Sequence, residues 1–320
     1  MDQIIIQGGY PLRGEVHISG AKNSALPILA AALLAESKSI LKNIPRVKDV
    51  DTMLKIISSL GAEITQRTDS IELNPTVKKS FASYEFVSTM RASICLLGPL
   101  LAKNIKGAGG RKIEIEGVKN LEGKKHTIIP DRIEAATYTI AGAISRGEVE
   151  IKEANPKHLS FLLKKLKQAG VQIVLRPRGL IVQAKERFRP LHLTTAPYPG
   201  FPTDVQPLIS VLLSLAEGKS VVKEGVYPNR FVYTGELQRM GANIIPREAE
   251  IIVQGVNLLK GAKVMASDIR AGAALILAGL AAEGETTVSR VYHIDRGYED
   301  LIKKLSGLGA KIKRRKGRSS

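Results

Sequence analysis

Residues 20–73 read GAKNSALPILAAALLAESKSILKNIPRVKDVDTMLKIISSLGAEITQRTDSIEL and form the clearest copy of a repeated unit. It predicts an apolar helix near its start, a strand over 39–44, and a second helix whose apolar residues recur at i, i+3, i+4 and i+7. Gly61 ends the second helix, as glycine does where the chain turns left-handed. Alternating segments at 62–65 and 70–73 predict a closing pair of strands.

The closing signature returns three times along the chain, at Gly170, Gly241 and Gly309. Self-similarity at one period indicates stacked copies of a single supersecondary element, here strand, helix, strand, helix, strand, strand. The last two spacings are 71 and 68 residues, whereas 109 residues separate Gly61 from Gly170. A regular array would need about 70 or about 140 residues there. The chain between 73 and 130 therefore holds less than a whole repeat.

The partial repeat begins near Ser88 with a short apolar run. It then passes through 103–110 directly to an alternating segment at 111–117, which resembles the last strand of a repeat. The amphipathic second helix and its flanking strands are missing. Before the first repeat, alternation at 3–7 and 14–18 around the turn signal GGYP predicts a hairpin.

Three fuller repeats follow the partial one. Their first helices are predicted to begin within 130–133, 202–205 and 267–270. Their second helices are predicted over 158–169, 234–240 and 298–308, with boundaries good to about two to four residues.

Length and composition indicate a globular chain of about two domains. The chain has 320 residues and a hydrophobic content of 44%. No segment reaches the apolar length of a transmembrane helix, and the first residues lack the basic and apolar regions of a secretory signal. We therefore expect a cytoplasmic protein without membrane contact.

Metal-binding side chains are few and scattered. The single cysteine excludes a disulfide within the chain and any metal site built on cysteine clusters. The five histidines occur singly, whereas zinc sites need three or four converging ligands. We therefore expect no metal site and no cofactor.

The formal net charge of +18 indicates an anionic partner without identifying it. Six basic residues lie within 311–318, which we interpret as a solvated chain end, with contact to nucleic acid or membrane as the alternative. Aromatic residues make up 4% of the chain and there is no Trp, so few side chains can stack on bases. Nucleic-acid binding is therefore disfavoured but stays open as a hypothesis.

The first helices carry charged residues at their starts and are otherwise apolar. A helix that is hydrophobic nearly all round is buried, so only its terminus can meet a ligand. That terminus presents unpaired N–H groups and the positive end of the helix dipole, which suit an anion. An N-cap is the alternative interpretation for the aspartates at three of these starts. Lys22, Arg91 and Arg270 are not explained as caps, because cations are disfavoured there, so we expect them to bind phosphate or carboxylate.

Motifs at these residues resemble the enolpyruvyl transferase superfamily, most closely its branch that acts on a nucleotide sugar. They are spread across nearly the whole chain, which makes the resemblance specific. The matching stretches are GAKNSALP at 20–27, PRVKDVDT at 45–52, TMRAS at 89–93, PDRIE at 130–134, FPTDVQ at 201–206, NRF at 229–231, ASDIRA at 266–271 and YHIDRGYE at 292–299.

The resemblance implies an α/β fold of two inside-out α/β barrel domains built from βαβαββ repeats. Each domain of the family has three repeats about a pseudo-threefold axis with the helices inside, and the active site lies in the cleft between the domains. On this basis residues 1–19 plus 123–320 form one complete domain. Residues 20–122 form a truncated partner domain, with one full repeat and a partial one.

The resemblance also implies that phosphoenolpyruvate and UDP-N-acetylglucosamine are the substrates, in the first committed step of peptidoglycan synthesis. Such a step serves cell-wall biogenesis, cell shape and cell division. Lys22 and Arg296 match residues that contact phosphoenolpyruvate, with Asp268 and Arg270 beside Arg296. Phosphate and carboxylate charges need fixed cations of this kind.

Other matches concern the nucleotide sugar. Asn23, Arg91 and the backbone of Val226 match its contacts. Asp204 matches the aspartate that takes the proton from the attacking sugar hydroxyl, a weak nucleophile that needs a base within hydrogen-bond reach. The residues expected to support these are Lys48, Asp49, Asp131 and Arg230.

One part of the family pattern is missing. The family carries a mobile loop with a proton-donating cysteine or aspartate, which belongs between Lys103 and Gly107 and is absent. Cys95 lies in an apolar helical run, where a buried and inert thiol is expected. Two hypotheses therefore stand: an active transferase, or an impaired or inactive paralogue that binds an anionic ligand or partner without turnover.

The missing helix also predicts an exposed apolar patch. Leu96, Leu100 and Leu101 would form it, because the helix that should cover them is absent. Self-association that covers this patch is a hypothesis.

Overall fold

A computed structural model describes residues 2–76, 91–96 and 120–317. The strands are β1 (Gln3–Gln7), β2 (Arg13–His17), β3 (Ser39–Lys42), β4 (Glu63–Gln66), β5 (Ser70–Asn74), β6 (Lys125–Thr127), β7 (Glu148–Lys152), β8 (Gln172–Arg176), β9 (Gly179–Gln183), β10 (His192–Thr194), β11 (Lys219–Lys223), β12 (Asn243–Pro246), β13 (Glu250–Gln254), β14 (Lys263–Met265), β15 (Glu285–Ser289) and β16 (Lys311–Arg315).

The helices alternate with these strands. They are α1 (Lys22–Ala31), α2 (Lys48–Ser59), α3 (Arg132–Ile144), α4 (Ser160–Gln168), α5 (Gln206–Ser214), α6 (Thr234–Arg239), α7 (Ile269–Ala281), α8 (Tyr292–Asp295) and α9 (Leu301–Gly307), with 3₁₀ turns at Ala32–Leu34, Arg91–Leu96, Pro156–Leu159 and Thr203–Val205.

The strands form four-stranded sheets that share one topology. Their orders are β14-β15-β1-β16, β10-β11-β13-β12, β2-β7-β9-β8 and β6-β3-β5-β4. In each sheet the first pair is parallel and the next two pairs are antiparallel. The predicted α/β class and repeat are confirmed, for example by β10-α5-β11-α6-β12-β13. Within the described residues, none of these sheets closes into a barrel.

The predicted N-terminal hairpin is wrong. Strand β1 pairs antiparallel with β15 and β16, whereas β2 pairs parallel with β7 in a different sheet. Gly8 approaches the end of α7 so closely that a Cβ there would lie 2.1 Å from the Ala282 carbonyl oxygen. Its N–H donates to Gly284 at 3.2 Å, and the Gly9 N–H donates to Leu280 at 3.0 Å. The GGYP segment is therefore a crossover between two repeats.

The chain divides into two compact units, a larger one of residues Met1–Ile18 and Asp131–Ser320 and a smaller one of Ser19–Pro130. In the larger unit, α3, α5 and α7 contact one another and are buried along nearly their whole length. Their residues are mostly apolar or small on all sides, as expected of a helix surrounded by protein. Only the ends of these helices are left for binding.

The smaller unit has its own core between α1, α2 and the sheet of β3–β6. Val50, Met53, Leu54 and Ile57 are buried on one face of α2, as their spacing predicts. Leu96 is also in this core, with 2% of its surface exposed. The expected exposed patch is therefore wrong at Leu96, because α1 packs against the 3₁₀ turn that carries it.

Several predictions lie outside the described residues. These are Leu100 and Leu101 of the patch, the start near Ser88, the segment 103–107 with the missing loop, and the strand at 111–117.

The second helices lie close to their predicted ranges, with one later start. Helix α9 begins at Leu301 rather than Tyr298, because Asp300 has a left-handed φ of 49° that a right-handed helix does not contain. All four closing glycines have φ between 88° and 106°, as a left-handed turn after the second helix requires.

Candidate active site

Asp204 lies in the 3₁₀ turn before α5 and forms ion pairs with two arginines. Its Oδ1 lies 2.8 Å from Arg230 Nη1. Its Oδ2 lies 3.0 Å from Arg270 Nη2 and accepts from Arg270 Nε at 3.1 Å. The Asp204 side chain is 28% exposed, while the Arg270 side chain is 7% exposed. The carboxylate is therefore fixed from two sides and still reaches the surface of the larger unit.

The aspartates at the three helix starts have different roles. Asp131 Oδ1 accepts from the N–H groups of Ile133 and Glu134, and Asp268 caps α7 in the same way. Asp204 makes no capping hydrogen bond to its helix. Capping, the alternative left open by the sequence, thus holds for Asp131 and Asp268 and is wrong for Asp204.

The two arginines decide the charge state of Asp204. Burial alone would raise the pKa of this carboxyl, but Arg270 and then Arg230 outweigh it and hold the pKa below its usual value of 3.8. Arg270 itself is buried, which would lower its pKa, yet Tyr298, Asp204 and Asp131 raise it. Asp204 is therefore an ionised acceptor at neutral pH.

Tyr298 forms the inner wall behind Arg270. The Arg270 guanidinium lies 5.7 Å from the centre of the Tyr298 ring. The Tyr298 hydroxyl lies 2.9 Å from the Thr137 hydroxyl, and burial raises the pKa of this phenol. Tyr298, in the loop before α9, is thus a neutral ring that lies against the Arg270 guanidinium. Its hydroxyl is held in turn by Thr137 of α3.

Glu224 is a buried carboxylate that was not among the predicted site residues. It is 3% exposed. Its Oε1 accepts from the N–H groups of Val226 and Tyr227 at 2.9 and 3.0 Å and from the Thr195 hydroxyl. Its Oε2 accepts from the Thr203 hydroxyl at 3.0 Å. One side chain therefore holds the turn after β11 and the residue before Asp204.

Thr203 links Glu224 to the arginines. Its hydroxyl accepts from Arg230 Nη1 at 3.0 Å, the same nitrogen that pairs with Asp204. A sequence signal for Glu224 does exist, because Ser220, Val222 and Glu224 share the buried face of an alternating segment. An acidic residue on such a face needs partners.

The Val226 N–H donates to Glu224, and the Val226 side chain is 42% exposed.

Arg296 lies at the end of α8 and is half-buried. His293 is close to it: burial lowers the pKa of His293, Arg296 lowers it further, and Asp268 opposes them. Asp268 and Arg296 therefore act on the same imidazole, as expected of neighbouring residues.

In the smaller unit, Lys22 and Asp49 form a buried ion pair. Lys22 Nζ lies 2.8 Å from Asp49 Oδ2, with side chains 11% and 8% exposed. Lys22 is the first residue of α1 and Asp49 lies in the first turn of α2. Asn23 and Lys48 are exposed next to them. The side chain of Arg91 lies outside the described residues.

Within the described part of the chain, no group of three or more His, Cys, Asp or Glu residues could hold a metal ion. None of the described helices is long and apolar enough to cross a membrane. What the larger unit does offer is an ionised carboxylate beside fixed guanidinium groups. Such a set can accept a proton from a hydroxyl and bind phosphate or carboxylate oxygens.

Comparison with known proteins gives a family match. The family model described as EPSP synthase (3-phosphoshikimate 1-carboxyvinyltransferase) matches residues 6–109 and 103–305. Two similar proteins are both named UDP-N-acetylglucosamine 1-carboxyvinyltransferase. The one from Lawsonia intracellularis is 38% identical and the alignment covers 98% of this chain and 99% of the relative. The one from Myxococcus xanthus is 37% identical, with 99% and 100% covered.

These alignments span 413 and 420 residues, whereas the chain has 320. The relatives therefore contain stretches that have no counterpart in this chain.

Solved structures share the fold. The enolpyruvyl transferase NikO from Streptomyces tendae matches with a TM-score of 0.88 at 21% identity, over 98% of both chains. EPSP synthase from Acinetobacter baumannii matches with a TM-score of 0.72 at 14% identity, over 99% of this chain and 100% of that one. At these identities the likeness concerns the fold alone.

Proposed function

Because the chain belongs to the UDP-N-acetylglucosamine 1-carboxyvinyltransferase family of enolpyruvyl transferases, we propose that it transfers the enolpyruvyl group of phosphoenolpyruvate to the 3-hydroxyl of UDP-N-acetylglucosamine. The sugar oxygen bonds to C2 of phosphoenolpyruvate while C3 gains a proton. C3 of the resulting adduct then loses a proton as the C2–O bond to phosphate breaks. The products are the enolpyruvyl ether and inorganic phosphate.

The observation that carries this proposal is the Asp204 carboxylate between Arg230 and Arg270. A general base must be ionised to accept the hydroxyl proton, and the lowered pKa of Asp204 meets that condition at neutral pH. The same low pKa makes Asp204 a weak base. We therefore expect it to orient the hydroxyl and take its proton only as the C–O bond forms.

The anionic groups of the substrates need cations, and both compact units supply candidates. In this proposal Lys22 and Arg296 bind phosphoenolpyruvate, with Asp268 and Arg270 beside Arg296. The nucleotide sugar is bound by Asn23, Arg91 and the backbone of Val226. Arginine suits such contacts because its planar fork matches carboxylate and phosphate oxygens.

The proposal includes the cellular role implied by the family. Transfer to UDP-N-acetylglucosamine would place the chain in peptidoglycan synthesis, and so in cell-wall biogenesis, cell shape and cell division. A cytoplasmic location is part of the same proposal.

A second candidate function is binding of the nucleotide sugar without turnover. It is favoured by the length difference, since the relatives' alignments exceed the chain by stretches that it does not contain. We propose that the proton-donating loop is among them, which would leave C3 of phosphoenolpyruvate without its usual donor.

Mass spectrometry of the nucleotide sugar after incubation with phosphoenolpyruvate in D₂O separates the two candidates. We expect the enolpyruvyl ether to form and to carry deuterium on its methylene carbon, because C3 gains a solvent-derived proton and then loses one. Asp204→Asn should give no ether. Asp300→Asn is a matched control, since Asp300 is exposed and Asn tolerates its left-handed backbone. A wild-type protein whose melting temperature rises with the nucleotide sugar but that forms no ether would support binding without turnover.

A further inference from the structure

A pocket of about 320 Å³ lies at the C-terminal ends of α3, α5 and α7 in the larger unit. Its walls include Leu215, Leu258 and Leu280, together with the side chains of Arg146 and Arg187. This volume is within the range of small-molecule sites, as is the combination of an apolar lining with a few polar groups. We propose that this pocket binds a small anion that carries an apolar portion, such as an organic phosphate or phosphonate.

Two arginines face this pocket with no acidic partner. Within the described residues neither Arg146 nor Arg187 forms an ion pair. The Arg146 guanidinium lies 4.7 Å from the centre of the Phe188 ring, and Arg187 Nη2 donates a long 3.4 Å hydrogen bond to the Ala216 carbonyl. Partial burial lowers the pKa of Arg146, which is still exposed, and the charge of Arg187 lowers it further. Two like charges share the pocket, and a bound anion would relieve their repulsion.

The backbone at Arg146 gives a second argument. Its φ of 58° is left-handed, a conformation that glycine adopts far more readily than a residue with a Cβ. In two sister repeats the left-handed residue is the glycine directly before the strand, Gly218 or Gly284, whereas here that place is held by Gly147 and the left-handed residue is Arg146 before it. An arginine here is disfavoured by its own backbone, so a role for its side chain is the physical reason to hold it there.

Compensation of the helix dipoles is the competing explanation, because cations are favoured at helix C-termini. However, backbone donors already satisfy carbonyls at these ends: Gly9 donates to Leu280 at 3.0 Å, Val256 to Ser214 at 2.8 Å and Gly147 to Gly142 at 3.3 Å. One cation at the C-terminal end of α3 would be enough to compensate the dipole of that helix. The second guanidinium beside it adds repulsion that the dipole explanation does not account for.

This pocket is separate from the Asp204 site. Asp131, Asp204 and Asp268 lie at the N-terminal ends of the helices whose C-terminal ends form the pocket. A helix of 13 residues such as α3 is roughly 20 Å long. The inference therefore does not rest on the proposed transferase activity.

Thermal unfolding and calorimetry with inorganic phosphate and phenylphosphonate test the proposal. We expect phenylphosphonate to bind about tenfold more tightly than phosphate, because its ring buries apolar surface against the leucines. Near saturation it should raise the melting temperature by about 5 °C. Arg146→Gly should lose this rise, yet in anion-free buffer it should melt higher than the wild type, since the left-handed strain and the repulsion are gone.

Two controls keep the outcomes apart. Arg187→Gln, which retains a donor for Ala216, should also lose the phenylphosphonate effect. Lys164→Gln, which removes an exposed charge on α4 outside the pocket lining, should keep it. The proposal is overturned if the wild type shows no rise with phenylphosphonate. It is equally overturned if Arg146→Gly retains the rise, or if that variant melts lower than the wild type in anion-free buffer, as the dipole explanation requires.

Discussion

Asp204 is a residue that stabilises the fold as well as serving the proposed chemistry. Its carboxylate is the acidic partner of Arg270, which is 6% exposed, and of Arg230. Removing one partner of such a pair leaves charge that is buried and uncompensated. The residue that would start the reaction thus also neutralises the Arg270 guanidinium at the N-terminal end of α7.

We expect Asp204→Asn to lower the free energy of unfolding by about 2–3 kcal/mol at pH 6, less than a fully buried pair would lose because Asp204 is partly exposed. The folded-state pKa of Asp204 lies below the usual 3.8, so the ion pairs stabilise the protein fully above that value. Their contribution is lost as the pH falls through the folded-state pKa. The difference between wild type and variant should therefore shrink below about pH 4.

Urea unfolding of both proteins across this pH range measures the effect, and Asp300→Asn again serves as the exposed control. A difference that stays constant down to pH 2.5, or that is absent at pH 6, would contradict the role assigned to the two arginines.

The site residues differ in how far the sequence could predict them. Asp204, Arg230 and Arg270 lie in stretches that resemble a family, and the structure brings all three together. Glu224 and Thr203 lie 21 residues apart, and their bond depends on how β11 meets the start of α5. No local pattern encodes such a contact. The same holds for Lys22 and Asp49, 27 residues apart, which pair only because α1 packs on α2.

At the scale of the elements, the turn after each second helix depends on one glycine. Gly241 has φ 88° and no heavy atom within 4 Å of an added Cβ, so the effect of a side chain there is purely conformational. Gly235, in the neighbouring α6, also has open space around an added Cβ but has helical backbone. The two glycines form a matched pair.

We expect Gly241→Ala to destabilise the protein by about 1–2 kcal/mol, because L residues are disfavoured in the left-handed region. Gly235→Ala should stabilise it by about 0.5 kcal/mol, since alanine loses less backbone entropy in a helix. Chemical denaturation of the two variants gives both numbers. Equal effects of the two substitutions would show that the left-handed turn is not what Gly241 provides.

Element prediction succeeded where the signal was local and failed where pairing was distant. The apolar spacing in α2 and the closing glycines follow from residues within one or two turns. The hairpin of β1 and β2 failed, because alternation and a turn signal do not reveal which strands a segment pairs with. Strand β1 instead completes the sheet of the last repeat.

At the scale of the whole molecule, the chain crosses twice between the compact units. Strand β2 belongs to the larger unit and the following helix α1 to the smaller one, while β6 and α3 make the reverse passage. The repeat period predicted the number of fuller repeats, whereas the two exchanges were expected only from the family resemblance. They arise because the first strand of a repeat pairs in parallel with a strand from another part of the chain, as β2 does with β7 and β6 with β3.

Release of inorganic phosphate is the most direct measure of the proposed enolpyruvyl transfer. We predict that the purified chain releases phosphate from phosphoenolpyruvate only when UDP-N-acetylglucosamine is also present, and that Asp204→Asn abolishes the release. Release from phosphoenolpyruvate alone would contradict the proposed acceptor. No release with both substrates present would contradict turnover and leave a protein that binds its ligands without reaction.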